Sequence, residues 1–306
     1  MSVSRRGFLK TVGLAGLGGG ALGAAASPVR ASGDHVDHDR LMGVLVDIPK
    51  CIGCRRCEHA CQEAAGFDPP PEAEFEDKSV FEEQRRPHPG SFTVVNRYPN
   101  PGDEGQPLYN KFNCMHCLEP ACVSACIVSA FSKRPDGPVV YDPGRCMGCR
   151  YCMVACPFEI PTYDYDNALT PQVRKCNLCA ELVPGRQAVP NCVKRCPQEV
   201  LTYGRREDLL AVARERIRRE PDVYVDHIYG EREAGGTSWL YLSSVPLEEV
   251  GFRYFDQQAP SRLTEAIQHG QFKHFLPPVM WYGLLGVAML MTRPERKVAG
   301  GQEDTA

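Results

Sequence analysis

Sixteen cysteines stand in four groups of four, at spacings that suit iron ligands. Cys51, Cys54, Cys57 and Cys61 are separated by two, two and three residues. Cys114, Cys117, Cys122 and Cys126 follow with gaps of two, four and three. Cys146, Cys149, Cys152 and Cys156 repeat the first pattern and run into Pro157; Cys176, Cys179, Cys192 and Cys196 end the series and run into Pro197. A two-residue gap folds the chain round one corner of a 4Fe–4S cube, so that three thiolates reach three irons. The cysteine after the three-residue gap is expected to begin a helix that points away and to reach a neighbouring cluster, with the following Pro suiting the helix start. Quartets then work in pairs, and four quartets imply four 4Fe–4S clusters. Disulfides would need no such regular runs, and zinc ribbons use paired CxxC motifs without the Cys-Pro ending.

The elements that must position these thiols are short. Gly 28 and Pro 26 argue against a helix bundle and against long strands. The second and third quartets lie close enough for one small two-cluster module over 114–156, with a hairpin signal at Arg134-Pro135-Asp136-Gly137 between Ser129–Phe131 and Val139–Tyr141. The first and fourth quartets lie outside it, so pairing them nests one module in the other. The expected fold class is α+β: two nested ferredoxin-like modules, loop-rich, with one C-terminal transmembrane helix. The outer module takes 40–113 and 157–204 and includes a charged connector over 62–113, read as a solvated loop or a docking surface. A C-terminal extension follows over 205–274. In it Leu209, Leu210, Ala213 and Ile217 share a face of a helix from Arg205 to Glu220 stopped by Pro221, and Trp239 to Leu242 reads as a strand. Cations near the quartets would raise cluster potentials: Arg55, Arg56, Lys133, Arg134, Arg145, Arg150, Lys175, Lys194 and Arg195, of which about half are expected only to solubilise the surface. His116 is expected to support the ligands rather than to be one, because its quartet already has four cysteines.

Both ends of the chain read as addresses. Ser4-Arg5-Arg6-Gly7-Phe8-Leu9-Lys10, an apolar Gly/Ala-rich run and small residues before a cut after Ala26 or Ala31 make residues 1–31 a twin-arginine signal, whose route exports folded proteins. Its removal takes Arg5, Arg6, Lys10 and Arg30 and no acids, which carries the formal charge from −3 to −7 and excludes a basic nucleic-acid binder. At the other end Phe275 to Met291 carries no charge and is followed by Arg293, Arg296 and Lys297. That pattern predicts a transmembrane helix over 275–292 with its basic end in the cytoplasm and the cluster-binding body on the periplasmic side of the inner membrane. No Ser/His/Asp set, phosphate-cradling loop or dinucleotide fingerprint occurs, and the chain reads as non-catalytic.

Cys114-Met115-His116-Cys117, Gly148-Cys149-Arg150-Tyr151-Cys152-Met153-Val154-Ala155-Cys156-Pro157 and His227 to Thr237 resemble the four-cluster electron-transfer subunits of the molybdopterin-oxidoreductase and hydrogenase families, the HybA type of the hydrogenase-2 operon above all. The likeness covers nearly the whole chain. The β subunits of membrane-bound formate dehydrogenases share the quartets, the Gly-Gly-Thr segment and the terminal helix, but typically lack a cleavable signal of their own. The resemblance implies four ligand sets: Cys51, Cys54, Cys57 and Cys196; Cys61, Cys176, Cys179 and Cys192; Cys114, Cys117, Cys122 and Cys156; Cys126, Cys146, Cys149 and Cys152. It also implies two partners, a periplasmic catalytic subunit, with a nickel–iron hydrogenase foremost, and an integral membrane subunit that reacts with quinone. One departure is Ile127, where the family usually has Pro after the cysteine.

Overall fold

The computed structural model describes residues 40–103, 105–167, 170–180 and 189–262, with Tyr282, Gly283, Leu285, Gly286 and Met289. Its regular elements begin with β1 (Met42–Asp47), α1 (Arg56–Ala64), β2 (Val94–Tyr98), β3 (Leu108–Phe112), α2 (Ala121–Ser124), β4 (Phe131–Lys133) and β5 (Val139–Tyr141). They continue through α3 (Tyr151–Ala155), β6 (Thr162–Tyr163), β7 (Val173–Arg174), α4 (Asn191–Lys194), β8 (Leu201–Arg205), α5 (Arg206–Arg219) and β9 (Trp239–Leu242). The signal lies outside the described residues. Of the expected transmembrane helix only the five isolated positions from Tyr282 to Met289 are described, and all five are helical. Among the described residues no helix is long and apolar enough to cross a membrane.

A three-stranded sheet divides the body. β1 is its middle strand, antiparallel to β8 and parallel to β9. Alternate side chains point to opposite faces of a strand, and here both faces are apolar. Leu45, Leu240 and Leu242 pack with Leu209, Leu210 and Ala213 of α5. Val44, Val46, Trp239 and Tyr241 face the other way, into a core that reaches Cys51, Cys57, Cys117, Cys192 and Cys196. The sheet is thus the wall against which the cysteine loops are built, with α5 as its outer support.

Helix α5 matches its expected bounds within a residue. Glu207 and Asp208 stand in its first turn and Arg216, Arg218 and Arg219 in its last, each favourable to the helix dipole. Arg206, buried at its start, donates to the carbonyls of Thr237, Gly230 and Glu231, tying the helix to the turn that precedes β9. The expected strand at β9 and the hairpin of β4 with β5 are both present.

The connector is not a solvated loop. β2 and β3 pair as an antiparallel hairpin, and Phe75, Phe81, Val94, Val95 and Leu108 are buried. Its polar residues hid this because several are buried with hydrogen-bond partners. Glu58 of α1, 1% exposed, accepts from both Arg55 and Arg85 and from the Val95 N–H. Asn110 donates to the Val250 carbonyl. The hairpin closes the outer module and carries side chains into it.

Candidate iron–sulfur sites

The backbone repeats itself at the quartets. Arg55 and Arg150, each just after the second cysteine of its quartet, hold left-handed φ of 60° and start α1 and α3. Gly53 and Gly148 before those cysteines have φ of 65° and 76°, and a Cβ at either would strike the Tyr109 ring or the Tyr163 hydroxyl. Only glycine lets the chain turn there while an aromatic side chain lies against it. In the second and fourth quartets Pro120 and Pro190 begin the short helices α2 and α4.

The expected helix after each last cysteine is displaced. Cys61 lies inside α1, Cys156 caps the end of α3, and Cys126 and Cys196 follow α2 and α4. The three-residue gap is itself one helical turn. It sets two thiols on one helix face, one turn apart, from where they serve different sites. Pro157 and Pro197 end that turn rather than begin another. Ile127 makes no difference to its course: Ser129, Glu159 and Glu199 all take left-handed φ, and each donates its N–H to the carbonyl of the cysteine three residues before.

No disulfide joins any of the sixteen cysteines. Two cavities gather the outer ones. Cys51, Cys54, Cys57 and Cys196 line one, beside Arg55, Tyr109 and Lys111. Cys61, Cys176, Cys179 and Cys192 line the other, beside Lys111 and Trp239. Charge interactions gather the inner ones: Cys117 feels Cys156, Cys114 and Cys122, and Cys152 feels Cys126, Cys146 and Cys149. The four groups succeed one another. Cys57 feels Cys192, Cys176 feels Cys114, and Cys122 feels Cys152. α1 packs on α4 and α2 on α3.

Burial first, and neighbouring thiols second, hold these thiols in their protonated form. Cys51 and Cys176 are pushed up to about 12, and Cys152 and Cys156 to about 11. Iron binding must therefore displace protons, and an iron core relieves the mutual repulsion of the thiolates. Among the described residues no three His, Cys, Asp or Glu converge to hold a single metal ion. Two orphaned atoms fit a cluster as well. Trp239 Nε1 and His116 Nε2 are buried without a hydrogen-bond partner. His116 Nδ1 accepts from the Val139 N–H, and burial, with Lys175, Lys133 and Lys111 nearby, pushes the imidazolium well down; Nε2 therefore carries the proton. Cluster sulfides accept such N–H groups.

Of the nine expected cations, Lys133 and Lys175 turn inward. Lys133 donates to the carbonyls of His116 and Gly137, and burial lowers it to about 8 although Cys117 and Cys114 act to raise it. Lys175 donates to those of Val139 and Cys176. Arg55 is spent on Glu58; Arg56 and Arg195 meet Glu72; Arg134 meets Asp136; Arg145 meets Asp142; Arg150 lies over Tyr163 and Tyr165; Lys194 is exposed. Lys111 is the cation that sequence reasoning missed. It stands three residues before Cys114, and that closeness could have found it.

Residues 106–206 match the family described as 4Fe-4S dicluster domain. A protein of Nitratidesulfovibrio vulgaris is 43% identical over 309 residues, covering 99% of this chain and 81% of that one. Hydrogenase-2 operon protein HybA of Escherichia coli O157:H7 is 32% identical over 322 residues, covering 95% of both chains. The chain belongs to the HybA family. The nitrate-inducible formate dehydrogenase iron-sulfur subunit of Escherichia coli is a more distant likeness, 30% identical over 211 residues, with 67% of this chain and 69% of that one covered. As a HybA-family protein the chain is an electron-transfer iron–sulfur subunit of an oxidoreductase complex and carries four 4Fe–4S clusters. Purified without oxygen, it is expected to hold about sixteen iron and about sixteen acid-labile sulfide. Zinc, or iron near half that number, would contradict the count.

Proposed function

We propose that this chain is a non-catalytic electron relay between a periplasmic catalytic subunit, a nickel–iron hydrogenase, and an integral membrane subunit that reacts with quinone. The observation that carries this is the single file of thiol groups from Cys54 at one end to Cys149 at the other. In this reading the ligand sets are those gathered above: Cys51, Cys54, Cys57 and Cys196; Cys61, Cys176, Cys179 and Cys192; Cys114, Cys117, Cys122 and Cys156; Cys126, Cys146, Cys149 and Cys152. Bound clusters supply one-electron carriers of tunable potential. The protein's part is to hold them in series, to keep water from the middle two with the sheet and the β2–β3 hairpin, and to bring Lys111, Lys133 and Lys175 to their thiolates.

Exposed apolar side chains support docking at the Cys149 end. Ile127, Met147, Tyr151 and Val154 are all exposed; the first three adjoin cysteines of that set and Val154 lies two residues from Cys152. The HybA relatives are named for a hydrogenase operon, which favours hydrogenase as the donor. A formate dehydrogenase β subunit is the second reading, supported by the shorter match. Membranes holding the assembled complex decide between them: hydrogen should drive quinone reduction through this chain, and a response to formate alone would install the second reading.

The proposed location is the periplasmic face of the inner membrane, reached by the twin-arginine route and kept by the C-terminal span. Paired guanidinium groups are the feature the export receptor reads, and Lys does not reproduce their geometry. Replacing Arg5 and Arg6 by Lys is expected to leave unprocessed precursor in the cytoplasm. Normal processing of that variant, followed by fractionation and blotting, would remove the basis of the assignment.

A further inference from the structure

Lys111 is 3% exposed and lines both outer cavities, the one with Cys51, Cys54, Cys57 and Cys196 and the one with Cys61, Cys176, Cys179 and Cys192. Its Nζ donates to Asn113 Oδ1 at 2.7 Å and lies over the Trp239 ring, 4.4 Å from the centroid. Asn113 is fixed in turn, because its amide donates to the Cys114 carbonyl. Among the described residues no carboxylate pairs with Lys111. A buried ammonium without a counter-ion is costly, and one amide oxygen and one ring face offset little of that cost. The groups whose ionisation would act on it most belong to the two outer sets, Cys192, Cys57, Cys176 and Cys61.

We propose that Lys111 is the shared counter-ion of the two outer clusters and raises both reduction potentials together. The inference rests on the ligand sets proposed above. A cluster held by four thiolates gains negative charge when it takes an electron. A fixed cation beside it in a water-poor site stabilises the reduced form more than the oxidised one. One side chain between two sites therefore shifts them as a pair. Trp239 adds a local contribution. Of the two outer cavities Trp239 lines the one with Cys61 and Cys176, and its buried Nε1–H has no partner, so its donor is assigned to that cluster.

The test is a redox titration of the purified complex followed by electron paramagnetic resonance, with iron and sulfide counted in each preparation. K111M keeps the stem and removes the charge. Two of the four midpoints should fall, each by at least a tenfold change in the reduction equilibrium, about 59 mV for one electron. K111R, which restores the charge, should return both towards the parent values, and W239F should lower one of the same two. Unmoved midpoints in K111M at full iron content would overturn the proposal, as would a shift in one cluster alone. If K111M does not assemble, K111Q gives the same comparison. The ligand sets are checked separately by Cys122→Ser, which removes an inner thiolate. If the signals it damages are the ones that K111M moves, the grouping of cysteines is wrong rather than the role of Lys111.

Discussion

Replacing Cys149 by Ser is expected to stop electron delivery to quinone while leaving dye-linked oxidation of the donor intact. Cys149 is the exposed thiol of the last group in the series. A serine hydroxyl is a hard, weak ligand beside three thiolates, so that site should lose or damage its cluster. A relay in single file has no way round a missing member. Quinone-linked activity should fall by at least roughly tenfold, whereas a small dye draws electrons from the catalytic subunit directly and should change by less than about twofold. Membrane preparations assayed both ways give the comparison. Loss of both activities, with the catalytic subunit present and loaded, would place this chain in the reaction centre.

A second large effect is expected at Glu58, which touches no iron ligand by hydrogen bond yet sits between Cys57 and Cys61 on α1. Its carboxylate joins Arg55, Arg85 and the backbone of β2. Glu58→Gln removes the charge and leaves two guanidinium groups without it in a buried setting. Breaking one side of such a network costs about 3–5 kcal/mol. The variant should release iron at a lower denaturant concentration than the parent, followed by the loss of visible absorbance under anaerobic conditions. Equal midpoints for the two proteins would mean that the hairpin and α1 are held by packing alone.

The cysteine sites were legible because their information is local. Two-residue gaps, Gly53 and Gly148 at left-handed turns, and Pro120 and Pro190 before short helices all act over a few residues. The face of α5 and the strand at β9 were legible for the same reason. The position of the helical turns was misjudged, because a three-residue gap reads equally as a spacer before a helix and as the helix itself. The β2–β3 hairpin was hidden by residues such as Glu58, Asn96, Asn110 and Lys111, which look like solvent-facing residues in sequence but are buried with partners. Their partners lie far along the chain, as Asn110 does from Val250. That is also why Lys111 went unmarked: its significance lies in the two cavities it separates, and neither is visible from Cys114 alone.

Nesting also fixes an order of assembly during synthesis. Cys114 to Cys156 are complete as soon as the middle of the chain has left the ribosome, but in the proposed ligand sets Cys51, Cys54 and Cys57 must wait for Cys196. β1 waits longer still for its parallel neighbour β9. Contacts between the earliest and latest parts of a chain are the slowest to form, and they expose reactive surface in the interval. Between the synthesis of Cys156 and that of Cys196 the molecule therefore carries a kernel with its thiols complete beside an outer group still lacking its last one. Any process that threaded the N-terminal segment away from its C-terminal partners before translation ended would leave the outer half unable to close. The oldest residues of this protein are the last to be built in.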